Sequence, residues 1–163
     1  MAVSAPQAQV FSYQRPDVSR PKTIVRLCSG DVSMGIVQIV APDGGETNLH
    51  SHGGMDSIYF VLNGRVRFYS DETEVLAELG PHEGVLIPHD FKYWFESVGT
   101  EPLEVLQVAG YVPNADRNSR TNYSPVTKAT VGTEFFDAGQ PGEAPKKDEA
   151  AVYDPRTTIP QKS

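Results

Sequence analysis

His50 and His52, with Ser51 between them, are the residues of this chain whose types and spacing can do chemistry. Side chains at positions i and i+2 of an extended strand point to the same face, so the pair sets two imidazoles side by side over one surface. An imidazole exchanges a proton near neutral pH, which suits such a surface to general acid–base work. Metal binding asks for more, because divalent ions normally take three or four protein donors and two imidazoles supply only part of that set.

The elements that must position the pair read as short strands and tight turns. Strand-like runs cover Thr23 to Cys28, Ser33 to Val40, Ser57 to Leu62, Arg65 to Tyr69, Thr73 to Leu79, Val85 to Pro88, Lys92 to Ser97 and Leu103 to Val108. Ile36, Val37, Ile39 and Val40 favour a strand packed on both faces. Asn63-Gly64, between two such runs, predicts a two-residue type I′ hairpin, which asks for positive φ at both positions. The regular spacing of turn signals predicts an all-β sandwich or barrel. Around it, residues 1–22 read as an N-terminal arm carrying Pro6, Pro16 and Pro21, residues 23–113 as the barrel, and residues 114–163 as a C-terminal arm, extended or disordered in part. Within that last stretch Val131 to Asp137 reads as a strand or an arm laying Phe135 and Phe136 on the barrel.

A length of 163 residues is one ordinary domain, large enough for a core without disulfides. The formal charge of −7 speaks against a nucleic-acid partner, whose phosphates call for a basic surface. No apolar run approaches the ~20 residues that span a bilayer, so no membrane partner is expected; the N-terminus lacks a secretory pattern, and a cytoplasmic location follows as an expectation. Cys28 is the single cysteine, which excludes an intrachain disulfide and reads as a small core residue.

The middle of the chain resembles the cupin superfamily. The first cupin motif is Gly, five residues, His, one residue, His, three or four residues, Glu, six residues, Gly, and Gly44, His50, His52 and Gly64 fall on it with Ser57 at the Glu position. The second is Gly, five residues, Pro, one residue, Gly, two residues, His, three residues, Asn. Pro88 matches, while His82, Asp90, Tyr93 and Ser97 occupy the two Gly, the His and the Asn positions. The resemblance covers roughly residues 33 to 109 and implies a cupin-type double-stranded β-helix, a jelly-roll barrel, with extended N- and C-terminal arms.

It also implies a small-molecule enzyme. Cupin metal sites resemble three histidines and one glutamate around iron, manganese, nickel or zinc. Here His50 and His52 keep two of those places, and Asp56 is the carboxylate that a bulge at Gly53-Gly54 would turn inward to complete the site. That reading is a metal-dependent dioxygenase or lyase with one divalent metal on His50, His52 and Asp56. Two alternatives stay open. One is a metal-free isomerase, epimerase or cyclase with no cofactor, using His52 as base and Tyr93 as acid. The other is a non-catalytic cupin that binds a small ligand. Strand alternation offers Ser57, Tyr59, Phe95 and Gln107 as substrate-binding residues, and sends Glu104 to solvent, with His82 and His89 in surface turns. The family's paired barrels and the long arms imply a homodimer, formed by exchange of residues 1–22 along an edge strand.

Overall fold

The structure, a computed structural model, describes residues 4–154. Its strands are β1 (Lys22–Ser29), β2 (Ser33–Val40), β3 (His50–Ser51), β4 (Met55–Asn63), β5 (Val66–Tyr69), β6 (Val75–Leu79), β7 (Gly84–Ile87), β8 (Trp94–Ser97), β9 (Leu103–Tyr111), β10 (Thr121–Asn122), β11 (Glu134–Asp137) and β12 (Lys146–Lys147). One short helix, α1 (Lys128–Val131), is capped by the Thr127 hydroxyl, which accepts from the Thr130 N–H. The fold is all-β. No helix among the described residues is long and apolar enough to cross a membrane.

A seven-stranded sheet runs in the order β12-β11-β1-β2-β9-β4-β7, and a three-stranded sheet in the order β6-β5-β8. They pack through one apolar cluster: Val40, Tyr59, Val61, Ile87, Leu103 and Val105 from the large sheet meet Val66, Phe68 and Phe95 from the small one, with Tyr93 beside them. Period-two alternation decides these faces. Along β4, Met55, Ser57, Tyr59 and Val61 are buried while Asp56, Ile58, Phe60 and Leu62 are exposed. Strand β2 is buried on both sides, as its apolar run implies, because Val37 and Ile39 pack with Val25 and Phe136 on the face opposite the main core.

The Asn63-Gly64 hairpin does not form. Gly64 takes φ +80° but Asn63 does not, so the turn is not type I′. Both edges of β4 are already paired, to β9 and to β7, and the chain leaves Gly64 for the other sheet. A Cβ at Gly64 would lie 2.6 Å from the Pro102 carbonyl oxygen, so the turn also needs glycine for space.

Beyond residue 113, Glu134–Asp137 take the strand alternative of the Val131 to Asp137 reading and, with Lys146–Lys147, extend the large sheet. Strand β11 pairs in parallel with β1, Thr23 opposite Glu134, and Phe135 is buried with Ile24, Met34 and Ile36. The N-terminal arm lies on its own barrel. Ser12 bridges to Gly139, and the Tyr13 hydroxyl donates to the Glu104 carboxylate, which is therefore buried rather than solvent-facing. Residues 155–163 of the expected tail lie outside the described residues.

Candidate functional site

The two-residue strand β3 is clamped on both edges. On one side the backbones of His50 and Tyr93 exchange hydrogen bonds of 3.0 and 2.9 Å; on the other, Asn122 of β10 lies opposite His50. The first contact brings Tyr93 to the histidines, and the second brings Arg120, which directly precedes β10. Gly54 lets the connecting stretch pass close: a Cβ there would meet the Asp116 carbonyl oxygen at 2.1 Å. From the opposite wall, Lys22 and Ile24 point inward from β1, and Gln38 of β2 stands in register with Ile24. His50, His52, Tyr59, Tyr93, Lys22 and Arg120 thus line one narrow, partly open cavity of about 20 Å³, together with Phe95 and Gln38. That is room for one water molecule.

The rings are in mutual contact. His50 and His52 meet edge-on with centroids 4.9 Å apart, and His50 lies 4.5 Å from the Tyr93 ring against 6.4 Å for His52. His50 Nδ1 is 2.6 Å from the Asn48 carbonyl oxygen. A carbonyl only accepts, so Nδ1 carries the proton and Nε2 is left as the basic nitrogen. The Tyr59 and Tyr93 hydroxyls are 2.6 Å apart.

Burial sets the charges. It drives His50 well below its usual 6.5 and His52 to about 3; the Arg120 guanidinium adds to both, and backbone hydrogen bonds to Asn48 and Ser119 oppose. Both imidazoles are therefore neutral at physiological pH. Burial likewise raises both phenols: Tyr59 rises well above 10, helped by Tyr93, while Tyr93 is pushed up only to about 12 because the Tyr59 hydrogen bond and Arg120 pull it back. Tyr93 is the more acidic of the pair, and either hydroxyl can donate in the bond between them. Lys22, 5% exposed, is brought down from 10.5 to about 7 by burial and then by Arg120. Its ammonium lies 5.6 Å over the Phe95 ring. Arg120 is held by the Asn48 and Asn122 side-chain oxygens at 2.6 and 3.0 Å. Neither cation makes an ion pair among the described residues.

Of the residues singled out in the sequence, His50, His52, Tyr59, Tyr93 and Phe95 come together at this cavity. Ser57 and Gln107 are buried behind it, in a chain where Gln38 Nε2 donates to Gln107 Oε1 at 2.7 Å and Gln107 Nε2 to Ser57 Oγ at 3.0 Å. Asp56 does not turn inward. Strand β4 runs without a bulge at that point, so Asp56 faces outward opposite to Ser57, half-exposed, and takes the N–H and ring of His89 at 2.8 Å each. Lys22, Ile24, Gln38, Thr47 and Arg120 are the cavity residues that the sequence reading did not single out.

These residues do not fit a divalent metal. Among the described residues no three His, Cys, Asp or Glu side chains come together. Arg120 and Lys22 line the same cavity as the imidazoles, and a guanidinium and an ammonium donate and repel where a metal needs acceptors and negative charge.

No protein-family model matches the sequence. An uncharacterized protein of Methanocaldococcus jannaschii is 28% identical over 97 residues, 56% of this chain and 76% of that protein. Among solved structures, a conserved double-stranded β-helix protein from Klebsiella pneumoniae aligns over 73% of this chain and 100% of its own, with TM-score 0.56 and 18% identity. A cupin superfamily protein from Desulfitobacterium hafniense aligns over 64% and 98%, with TM-score 0.52 and 17% identity. The polyketide cyclase RemF from Streptomyces resistomycificus aligns over 67% and 75%, with TM-score 0.52 and 22% identity. The fold of this chain is the double-stranded β-helix that these solved structures share.

Proposed function

We propose that the cavity is a metal-free acid–base site acting on a small molecule, moving a proton at a carbon next to a carbonyl group, as in an isomerisation, an epimerisation or the enolisation step of a cyclisation. One observation carries this reading: two neutral imidazoles and a phenol pair line one buried cavity together with two cations and no carboxylate. His50 Nε2 takes the proton from carbon, the electron pair moves onto the carbonyl oxygen, and the Tyr93 hydroxyl donates a hydrogen bond to it. The positive charge of Arg120 stabilises the oxygen as it becomes negative, in a site where water does not screen it. The imidazolium then returns the proton to carbon, so that no atom or electron is gained overall. His52 stands beside His50 as a second proton acceptor. The cavity has room for about one water, so a substrate enters by widening it while Arg120 stays at its wall. A polyketide cyclase is among the solved structures that share this fold.

The test is deuterium incorporation from D2O into a panel of small carbonyl compounds, followed by proton NMR. Wild-type protein is expected to exchange at least one of them, and His50→Gln and Tyr93→Phe should each slow that exchange by roughly 10² to 10⁴-fold. Exchange that stops on chelation and returns with a divalent metal would overturn the proposal, as would variants as fast as wild type.

A further inference from the structure

Lys22 and Arg120 are two cations facing one cavity, and neither has a carboxylate partner among the described residues. Charge taken out of water is retained in folded proteins when something pairs with it, and among the described residues half-buried Arg120 has the Asn48 and Asn122 oxygens and the Tyr153 ring, while buried Lys22 has the face of the Phe95 ring. The phenols cannot supply the missing negative charge, because burial holds both in the neutral form. A third observation gives the cavity a second recognition element. Gln38 lines it, its Nε2 is committed to Gln107, and its Oε1 is buried with no hydrogen-bond partner. A buried acceptor left open in this way asks for a donor from a ligand.

We propose that the cavity, widened from its present one-water size as a ligand enters, binds a small 2-hydroxycarboxylate, its carboxylate held between Lys22 and Arg120 and its hydroxyl donating to Gln38 Oε1. This deepens the reading of the site as an acid–base centre and rests on it for where the substrate lies, but its test is binding and not turnover. The protein as a whole carries a charge of −7, so the cavity is a positive island in a negative molecule. Attraction of the anion must therefore come from the two side chains themselves. The ligand charge also bears on the neighbouring imidazoles. A carboxylate beside them offsets part of the cost of forming an imidazolium in a buried site, which His50 must do when it takes a proton.

Isothermal titration of the full chain with glycolate, acetate, ethylene glycol and chloride, in a carboxylate-free buffer at pH 6.5, separates the parts. Glycolate is expected to bind, acetate to bind roughly tenfold more weakly for want of the hydroxyl, and ethylene glycol not to bind. Lys22→Met and Arg120→Gln should each weaken glycolate by about 10 to 100-fold, with Arg120→Lys recovering part of the loss. Circular dichroism checks that each variant is folded, and Gln38→Met, which removes only the amide, reads the hydroxyl contact if a cation variant fails to fold. Glycolate that binds no better than chloride, an adventitious anion only, overturns the proposal; so does unchanged affinity in the cation variants. Equal affinity for acetate and glycolate overturns the role of Gln38. Glycolate binding that survives in His50→Gln, in a protein that exchanges no carbon-bound proton, would sink the acid–base reading and leave this one standing.

Discussion

Replacing Lys22 by methionine should make the protein more stable, and the gain should shrink as pH rises. Lys22 has its ammonium pKa lowered to about 7 against 10.5 for the free side chain. At about 1.4 kcal/mol per pKa unit, holding the charged form inside the fold costs about 5 kcal/mol. The sign follows from proton counting. Between pH 7 and 10.5 the unfolded chain keeps the proton that the folded one has lost, so wild-type stability climbs with pH across that window. Below pH 7 both states are charged and the full cost is present; above 10.5 both are neutral and it is gone. Methionine has a similar length, no charge, and can lie against the Phe95 ring that the ammonium faces. Lys22→Met is therefore expected to exceed wild type by up to about 5 kcal/mol at pH 6 and by about 2 kcal/mol at pH 9. For a domain of this size the first figure is on the order of 10 °C in Tm. The charged and titratable groups facing Lys22 are Arg120, His50, His52, Tyr59 and Tyr93, all present in both proteins, so the difference between the two isolates the ammonium. Urea unfolding at three pH values in a carboxylate-free buffer measures it. A variant less stable than wild type, or a gap that does not change between pH 6 and 9, would refute the reasoning.

Two other substitutions probe the frame. Asp56→Asn removes the partner that, with its hydrogen bond first and its charge after burial, raises the exposed His89 above 6.5; the His89 NMR titration should move back toward that value while Tm and glycolate affinity stay unchanged. A loss of glycolate binding there would mean that Asp56 reaches the cavity after all. Phe135→Ala empties a fully buried position between β1, β2 and β4 and should cost about 3 to 5 kcal/mol in urea unfolding. A cost below about 1 kcal/mol would mean that β11 is an arm and not part of the sheet.

The parts of the fold that alternation governs were readable from the chain. Ser57, Tyr59 and Val61 share a buried face because a strand has only two faces, and His50 and His52 share one for the same reason. What the sequence concealed depends on pairing across long separations. Asn63-Gly64 carries a local hairpin signal, yet β4 has no free edge for β5, and that is decided by β7 and β9 farther along the chain. Glu104 looks like a surface residue until Tyr13, 91 residues earlier, lies over it. In the site, Gln38 did leave a mark, as the one polar side chain in the run from Gly35 to Val40. Lys22 sits where a proline-rich arm meets a strand, and its inward direction follows only from the register Lys22 opposite Val40. Arg120 lies in a polar stretch with no periodicity, and reaches the histidines through the pairing of β10 with β3.

The exchange of acceptors for cations around His50 and His52 changes how the site responds to what fills it. A guanidinium keeps its charge whatever its surroundings, so Arg120 gives the cavity a fixed positive centre. An ammonium does not, and Lys22 sits near 7 because burial and then Arg120 both oppose its charge. An anion entering between the two removes the second of those penalties and lowers the first, so Lys22 should gain a proton as the ligand binds. The same anion makes the imidazolium of His50 cheaper to form, and it does so only while it is bound. Binding and basicity are in this way coupled through one charge. As the cavity stands it holds weak bases beside a lysine that titrates near 7, and a bound anion should leave stronger bases beside two charged side chains.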